Sequence, residues 1–292
     1  MPTEFIASHC ICCQSARLEK SPAVLMPFIA KRTFGHEPLE IPAEWGMRNL
    51  KTGMAYTLCN SLQCMDCGVL FLDYRFTDAQ MQRLYKGYLD KDYIAERDHY
   101  EPGFATDIAP YIHGRHTYVA AVEAWLSTRV PPRPRILDWG GGSGINTPLI
   151  ASSSLAHVYD ISGNELVAPA QRVDPDGMHG QGYDLVLCRH VLEHVPFPFD
   201  LVTRMLPALD DHTLLYIEVP HEPLVNQNPD SRELAPMKRV WHEHINFFGI
   251  TAMLRLIERA GLEVIDRHVL PIDLEYRKEE VIGFLARKPS KP

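Results

Sequence analysis

The sequence predicts an α/β fold, in which helices cover a largely parallel sheet, preceded by a smaller cysteine-rich region. From Arg135 onward, segments typical of strands alternate with helical segments, which is the pattern of a parallel sheet. A glycine-rich turn, "GGGSG" at residues 140–144, directly follows the first of these strands. Six of the seven cysteines lie within the first 67 residues, so the amino-terminal part has a separate character.

Length, composition and charge exclude several classes of protein. A chain of 292 residues with 46% hydrophobic content can form one large domain or two modest ones. The formal net charge of −8 disfavours broad binding to phosphate backbones. No apolar run approaches the ~20 residues that span a membrane, and the amino terminus lacks the pattern of a signal peptide. We therefore expect a cytoplasmic protein with neither a nucleic-acid partner nor a membrane span.

The amino-terminal cysteines form two C-x-x-C pairs, in "HCICCQS" and "LQCMDCGVL". Together the pairs supply four thiolates, which suit a tetrahedral zinc ion. Disulfides are disfavoured in a reducing cytoplasm, and buried structural cysteines would not explain two such pairs. Four cysteines leave no open position for a substrate, so we predict a structural zinc site. Its predicted ligands are Cys10, Cys13, Cys64 and Cys67. The insert between the pairs must fold on its own, and we expect strands around "LEIPAEW" and "MAYTLCN".

A helical region follows the second cysteine pair. Thr77 or Asp78 is a suitable cap for a helix that continues through "AQMQRLYKGYLD". A second helical stretch, "YIHGRHTYVAAVEAWLSTRV", ends at the prolines of "PPRPR". Tyr85, Tyr88 and Tyr93 follow one another at near-helical spacing. This spacing favours tyrosines that pack in the core, and the alternative is that they line a substrate cleft. The predicted organisation is a zinc-binding domain at 1–75, a helical connector at 76–130 and an α/β domain at 131–292.

Six strands are predicted after the prolines, namely "RILDWG", "AHVYD", "YDLVLCRH", "TLLYIEVP", "LEVIDRHVL" and "EEVIGFLAR". The clearest helix is "TAMLRLIERAG", with Thr251 near its start and Gly261 just past its end. The interval between Asp160 and Tyr183 is short for a complete helix, strand and connection. We expect one element there to be shortened or lost.

A glycine-rich loop after the first strand of such a sheet lies at the carboxyl edge, where ligands bind. A P-loop would require a lysine after Gly144, and none is present. A dinucleotide fingerprint would require glycine or alanine where this chain has Ile145 or Thr147. Nucleoside triphosphates and NAD are therefore disfavoured.

The pattern D-x-G-x-G-x-G does fit, and its members are Asp138, Gly140, Gly142 and Gly144. An acidic residue can attract an ammonium group, and bare backbone leaves room for a cofactor that has a cationic amino-acid end and no phosphate. Asp160, at the end of the second strand, is placed to accept both hydroxyls of a ribose.

These segments carry a resemblance to a known family. "LDWGGGSG", "VYD" and "CRHVLEHVPFP" together resemble a class I S-adenosylmethionine-dependent methyltransferase from about Tyr111 to the end of the sequence. The cysteine pairs with "GVLFLDYRFTDAQMQRLYKGY" resemble the zinc-binding domain fused to such enzymes in the sugar C-methyltransferase group. The resemblance implies a Rossmann-like, seven-stranded methyltransferase sheet, S-adenosylmethionine as cofactor and a small-molecule acceptor such as a sugar.

The sugar C-methyltransferase group also has a segment of the form E-H-x-x-Y-F. Here "HEHINFF" supplies Glu243, His244, Phe247 and Phe248, whereas Trp241 stands where the motif often has tyrosine. This sequence does not include the further C-terminal domain of the group. We predict that His244 is the base for an acceptor that carries a proton, with Glu243 orienting it or contacting the acceptor. The alternative is that "WHEH" is a packed loop anchored by its tryptophan.

The string "HVLEH" also satisfies H-x-x-E-H, a zinc-peptidase pattern that places two histidines on one helix. Its position after a core strand, downstream of the glycine loop, favours the methyltransferase. We expect Glu193 and His194 to cap and brace a helix near the cofactor. Arg189 and His190, at the carboxyl end of the strand, are expected to contact the cofactor.

The sequence thus predicts methyl transfer from S-adenosylmethionine to a sugar or another small polar acceptor. An alternative function is a non-catalytic partner that binds S-adenosylmethionine within a biosynthetic complex. Whether carbon, oxygen or nitrogen receives the methyl group stays open.

Overall fold

The computed structural model describes residues 5–42, 52–112, 114–274 and 277–290. Within these ranges the chain forms a five-stranded sheet, a seven-stranded sheet and a two-stranded hairpin. In chain order, the strands are β1 (Leu18–Leu25), β2 (Leu39–Ile41), β3 (Gly53–Ala55), β4 (Leu58–Cys64), β5 (Leu70–Leu72), β6 (Arg135–Trp139), β7 (Leu155–Tyr159), β8 (Gln171–Arg172), β9 (Leu185–Arg189), β10 (Leu214–Pro220), β11 (Val240–Trp241), β12 (Asn246–Phe247), β13 (Glu263–Leu274) and β14 (Arg277–Arg287). The α-helices are α1 (Pro27–Phe34), α2 (Asp78–Tyr85), α3 (Lys91–Tyr100), α4 (Phe104–Ile112), α5 (Val119–Ser127), α6 (Pro198–Met205), α7 (Pro223–Asn226), α8 (Leu234–Met237) and α9 (Ile250–Arg259).

The seven-stranded sheet has the order β13-β14-β10-β9-β6-β7-β8. The five strands from β10 to β8 run parallel, and β14 and β13 close the sheet as an antiparallel pair. All five residues of β9 are buried, as expected for a strand covered on both faces. The predicted α/β fold and each predicted strand are confirmed. After β6 the chain continues to β7 and β8 on one side of β6 and then crosses to β9 on its other side. The strand order reverses at β6, and ligands are expected at the carboxyl end of the strand where this happens.

The segment between β7 and β9 is shortened, as the sequence predicts. It contains the two-residue strand β8 and a 3₁₀ turn at Pro175–Met178, with no α-helix among the described residues of this interval. Proline cannot donate to a ladder or continue a helix, and this interval contains Pro169 and Pro175.

The amino-terminal strands form an antiparallel unit in which β1 pairs with β4 and β4 pairs with β5. Of the second cysteine pair, Cys64 ends β4 and Cys67 lies in the turn to β5. The strand predicted around "LEIPAEW" is present as β2, while residues 43–45 of that string lie outside the described residues. "MAYTLCN" is divided between β3, which pairs with β2, and β4.

Two short strands from the carboxyl-terminal part complete the amino-terminal sheet. β11 pairs with β1 and β12 pairs with β5, so they lie at opposite edges of the order β11-β1-β4-β5-β12. Trp241 is fully buried, and its indole N–H donates to the Ser61 hydroxyl over 2.8 Å. The predicted division at residues 75 and 130 therefore omits a link between the two parts of the chain. Residues 240–241 and 246–247 belong to the amino-terminal sheet, and residues 242–245 connect its two edges.

The helical connector begins at Thr77, which caps α2 with a capping box completed by Gln80. The single helical stretch predicted for residues 111–130 is instead the end of α4 and the separate helix α5, and residue 113 lies outside the described residues. Tyr85 and Tyr93 are buried, which confirms packing at these positions. In the parts of the chain that the structure describes, no helix combines the length and apolar composition needed to cross a membrane.

Candidate functional site

The glycine-rich loop leaves the carboxyl end of β6 in left-handed backbone conformations. The φ angles of Gly140, Gly142 and Gly144 are +81°, +58° and +83°. A Cβ atom on Gly140 would overlap the Val191 side chain, so this glycine is required by close packing. A Cβ atom on Gly142 would meet no described atom within 4 Å. The protein therefore leaves open space above Gly142, where a ligand can approach the backbone.

Asp160 lies beside this open space, one residue past the end of β7. Its two carboxylate oxygens accept the backbone N–H groups of Gly142 and Ser162, each over 2.8 Å. The residue is partly exposed, and a carboxylate oxygen that accepts one hydrogen bond can accept another. The structure thus brings Asp160 and the glycine loop together. Its predicted contact with a ribose stays a prediction.

Asp138 lies beneath the loop rather than in the open space. It is 4% exposed, and its Oδ2 accepts the Thr147 hydroxyl over 2.5 Å. Burial raises the pKa of Asp138 to about 6, although the hydrogen bond from Thr147 and the charge of Arg189 act in the opposite direction. Through its hydrogen bond with Thr147, Asp138 helps to hold the loop in place. Its predicted contact with the ammonium group of a cofactor stays a prediction.

The raised pKa of Asp138 predicts a specific dependence of stability on pH. An unfolded aspartate titrates near 3.9, so the folded chain binds this proton more tightly and loses stability as pH rises from about 4 to 6. Asp138→Asn keeps an oxygen that can accept from Thr147 but removes the charge. At pH 7.5 we expect the free energy of unfolding to rise by about 2 to 3 kcal/mol. Urea unfolding measures it; a gain that is equally large at pH 4 would contradict the explanation.

Arg189, at the end of β9, is engaged in a buried ion pair. Its guanidinium lies 2.8 Å from the Glu218 carboxylate and also donates to the Asn146 carbonyl over 2.7 Å. Although burial opposes it, Arg189 holds the pKa of Glu218 well below its ordinary value. This pair links β9, β10 and the end of the glycine loop. Cofactor contact by Arg189 stays a prediction.

His190 begins a turn instead of a helix. Its φ of +53° is in the left-handed region, and its Nε2 lies 2.7 Å from the Tyr118 hydroxyl. Residues 190–195 form no helix, so the prediction that Glu193 and His194 cap and brace one is wrong. The peptidase arrangement is also absent, because it needs both histidines of H-x-x-E-H on one helical face. The side chain of His190 is 36% exposed, and its contact with the cofactor stays a prediction.

A second polar cluster forms where the turn after β9 meets the loop between β11 and β12. The backbone N–H groups of Ile245 and Asn246 both donate to the Glu193 carbonyl, over 2.8 and 3.0 Å. The rings of His194 and His244 lie 4.7 Å apart between centroids. The predicted catalytic residue His244 is therefore next to the turn that leaves the central strand, close to His194.

His244 is oriented by Glu222, a residue that the sequence analysis missed. The Nδ1 atom of His244 lies 2.5 Å from the Glu222 carboxylate, and this contact raises the pKa of His244 although burial opposes the shift. Glu243 instead forms an ion pair with Arg97 of α3. Two roles were predicted for Glu243, to orient His244 or to contact the acceptor. In the structure Glu222, and not Glu243, orients His244. Its position just after β10, at the carboxyl edge of the sheet, is the signal that could have identified Glu222.

Several buried polar groups around this cluster have no hydrogen-bond partner among the described residues. Glu193 is 1% exposed, and neither of its carboxylate oxygens makes a hydrogen bond to a described residue, although Oε1 lies within ion-pair distance of the His190 Nδ1, at 3.4 Å. The hydroxyls of Tyr85 and Tyr93 also lack a hydrogen-bond partner in the described parts of the chain. The ring of Tyr85 lies 5.7 Å from that of His194, so this tyrosine packs against the cluster. Buried groups that lack partners indicate a place for a ligand.

The four predicted zinc ligands also come together. The sulfur atoms of Cys10, Cys13, Cys64 and Cys67 lie within 4.8 Å of one another. The Cys10–Cys67 and Cys13–Cys64 separations are 3.5 and 3.6 Å, near the ~3.8 Å that a tetrahedral site with Zn–S bonds of about 2.3 Å requires. Backbone N–H groups point at two of the sulfurs. The donor set therefore fits a closed zinc site.

Comparison with known proteins identifies a family match and several similar structures. The model of a family described as a methyltransferase domain matches residues 111–267. The chain is similar to 1,6-didemethyltoxoflavin-N1-methyltransferase of Burkholderia thailandensis, solved with bound 1,6-didemethyltoxoflavin and S-adenosylhomocysteine, at a TM-score of 0.51. Sequence identity is 13%, over 87% of this chain and 100% of that one. This likeness shows the fold.

A second similar structure is the magnesium protoporphyrin IX methyltransferase of Synechocystis PCC 6803 with bound SAH. It is 18% identical, and the match covers 58% of this chain and 82% of that one at a TM-score of 0.40. No curated protein matches the chain.

Proposed function

This chain belongs to the methyltransferase domain family, and on that premise we propose that it transfers a methyl group from S-adenosylmethionine to a small polar acceptor. The sequence resemblance supports a sugar as that acceptor. One observation carries the cofactor proposal: the loop after β6 leaves open space above Gly142, and Asp160 borders this space.

On the cofactor side, the chain would hold the ligand mainly through backbone and one carboxylate. The glycine loop permits close approach, and Asp160 keeps acceptor capacity for ribose hydroxyls. Asp138 and Arg189 support this surface from below, through Thr147 and Asn146. S-adenosylmethionine, when bound, supplies a methyl group on a positively charged sulfur. Arg189 and His190 lie at the carboxyl end of β9, and we propose that they contact the cofactor at the margin of the site.

On the acceptor side, we propose His244 and Glu243 as the catalytic residues. Methyl transfer is an in-line displacement, and holding the two reactants in line can contribute up to ~7–11 kcal/mol. His244 is the side chain that promotes loss of the acceptor's proton, and Glu222 fixes its ring. Glu243 contacts the acceptor, and its ion pair with Arg97 ties this side of the site to the helical connector.

We also propose a structural zinc ion at the four cysteines. Their sulfur geometry supports it, because a closed tetrahedral set of thiolates is the usual structural zinc site. A cytoplasmic location agrees with this proposal, since a reducing compartment keeps the four thiols available as ligands.

Calorimetric titration tests the cofactor proposal. We expect S-adenosylmethionine and S-adenosylhomocysteine to bind to zinc-loaded protein with micromolar affinity, near −8 kcal/mol. NAD is the control and should give no binding, because the loop lacks the dinucleotide fingerprint. Absence of binding by both sulfur compounds, from protein shown to be folded, would contradict the proposal. If the cofactor binds, a screen for transfer of its labelled methyl group to sugars tests the proposed acceptor.

A further inference from the structure

We propose that Glu193, His194 and His244 form a binding site for a divalent transition-metal ion, separate from the four-cysteine site. One potential ligand atom from each residue lies within 4.8 Å of the other two. The catalytic consequence of this site rests on the methyltransferase function proposed above, whereas the binding of the ion does not.

Hydrogen bonds leave one nitrogen of each imidazole available to a metal. The Nδ1 atom of His194 lies 3.1 Å from the Glu243 carbonyl oxygen, which can only accept, so Nδ1 carries the proton and donates. The Nδ1 atom of His244 donates to the Glu222 carboxylate over 2.5 Å. In both rings Nε2 is then the atom with the free lone pair. A metal-bound histidine typically donates its other ring N–H to a carbonyl or carboxylate in this way.

The third ligand is a buried carboxylate that makes no hydrogen bond to the described residues. Glu193 is 1% exposed, and neither of its oxygens has a hydrogen-bond partner among the residues that the structure describes. Its Oε1 lies 3.8 Å from the Nε2 of His194. Its Oε1 also lies 3.4 Å from the Nδ1 of His190, an ion pair when that imidazole is protonated. Imidazoles 3.4 to 3.8 Å away offset the cost of burying a carboxylate less than a directly bound cation would. This second observation is independent of the two histidines.

The backbone holds the two ligand-bearing segments in register. Ile245 and Asn246 both donate to the Glu193 carbonyl. The Asn246 side chain adds hydrogen bonds to the carbonyls of Leu192 and Val195, over 2.8 and 2.7 Å. An ion about 2.1 Å from each ligand requires the three atoms to lie about 3 to 3.4 Å apart. Small side-chain rotations on this fixed frame can close the remaining distance.

The ligand set indicates both the kind of ion and what else can bind it. Two imidazoles and one carboxylate suit divalent first-row metals such as Mn²⁺, Fe²⁺ or Zn²⁺, and leave positions open for oxygen ligands. An acceptor hydroxyl can occupy such a position, where the cation favours loss of its proton to water. The hydroxyl oxygen then bonds to the methyl carbon while the carbon–sulfur bond breaks, and the electron pair stays on sulfur. His244 promotes the proton loss as a ligand, since a coordinated Nε2 cannot accept a proton.

Titration of the zinc-loaded full chain with Mn²⁺, followed by electron paramagnetic resonance, tests the site. Mn²⁺ prefers oxygen and imidazole ligands, so it should not displace zinc from four thiolates. We expect one Mn²⁺ ion to bind, and spin-echo modulation from imidazole nitrogen to appear. Glu193→Gln and His194→Asn should each weaken Mn²⁺ binding at least tenfold, about 1.4 kcal/mol or more.

The matched control is His242→Asn, which makes the same change on a half-buried histidine outside the three ligands, in the loop that holds His244. Asparagine can still accept the His244 backbone N–H that the His242 Nδ1 accepts over 3.4 Å. This control should bind Mn²⁺ like the unchanged chain. Thermal unfolding of each variant shows whether the fold is intact. A parallel titration with S-adenosylmethionine separates failure of the cofactor proposal from failure of the metal site. No bound Mn²⁺, no nitrogen modulation, or equal affinity in Glu193→Gln would overturn the inference.

Discussion

If the four cysteines bind zinc as proposed, we expect the replacement of Cys64 with serine to prevent zinc binding and to destabilise the amino-terminal sheet. Cys64 ends β4, and its sulfur lies 3.6 Å from that of Cys13. Binding of structural zinc contributes about 10 to 16 kcal/mol in small zinc peptides, so the loss of one thiolate ligand should far exceed an ordinary buried substitution. Because β4 pairs with both β1 and β5, the loss should extend through the sheet.

Metal analysis and thermal unfolding measure this result. We expect one zinc per unchanged chain, and little or none in Cys64→Ser after dialysis against a mild chelator, with a lower unfolding temperature. Cys59→Ser is the matched control, since Cys59 is a buried cysteine on the same strand but outside the four-sulfur cluster. Equal zinc content in the two variants, or no zinc in the unchanged chain, would refute the four-cysteine site.

The second large effect is expected from Gly142→Ala, which should weaken S-adenosylmethionine binding at least tenfold, or about 1.4 kcal/mol. The left-handed backbone at Gly142 costs any L-residue about 1 to 2 kcal/mol. The added methyl group would also occupy the open space above the loop, where no described protein atom lies within 4 Å. The backbone cost lowers the stability of the fold whether or not a ligand is bound, so a loss of cofactor affinity in folded protein reports that the cofactor uses that space.

Gly180→Ala separates these two contributions. Gly180 has a φ of +66°, and its added Cβ would also meet no described atom within 4 Å. It lies in a turn away from the glycine loop, so the two variants should lose similar thermal stability while only Gly142→Ala loses cofactor affinity by titration. Equal cofactor affinity in both variants would show that the space above Gly142 is not used.

Sequence patterns predicted six strands of the seven-stranded sheet well because these strands are regular and apolar, whereas the two-residue strand β8 was not predicted. "YDLVLCRH" contains β9, and "TLLYIEVP" contains β10, with errors of only a residue or two at the ends. By contrast, β11 and β12 have two residues each and lack the periodicity from which a strand is recognised. Their place in the amino-terminal sheet depends on pairing with residues far away in the sequence. The domain division therefore missed this connection.

The parts of the site that belong to a local sequence motif were predicted. The parts that depend on contacts between distant segments of the chain were missed. The four cysteines and the glycine loop with Asp160 come together as their spacing suggested. The helix expected after β9 is a turn, in which His190 takes a positive φ and Glu193 lies against the loop after β11. Glu222 was missed because its role depends on the contact with His244, and its position just after β10 indicates only that it lies at the carboxyl edge of the sheet.

The placement of β11 and β12 has a consequence for synthesis of the chain. A ribosome releases β1, β4 and β5 early, but the strands that cover both outer edges of their sheet emerge only when residue 247 has been made. At about 5 to 20 residues per second, synthesis from the end of β5 to residue 247 takes roughly 9 to 35 seconds, during which these edges are unpaired and can associate with other chains. For the same reason, cutting the gene at the prolines near residue 131 would not give two independent folding units. Each fragment would lack strands or partners that the other one holds.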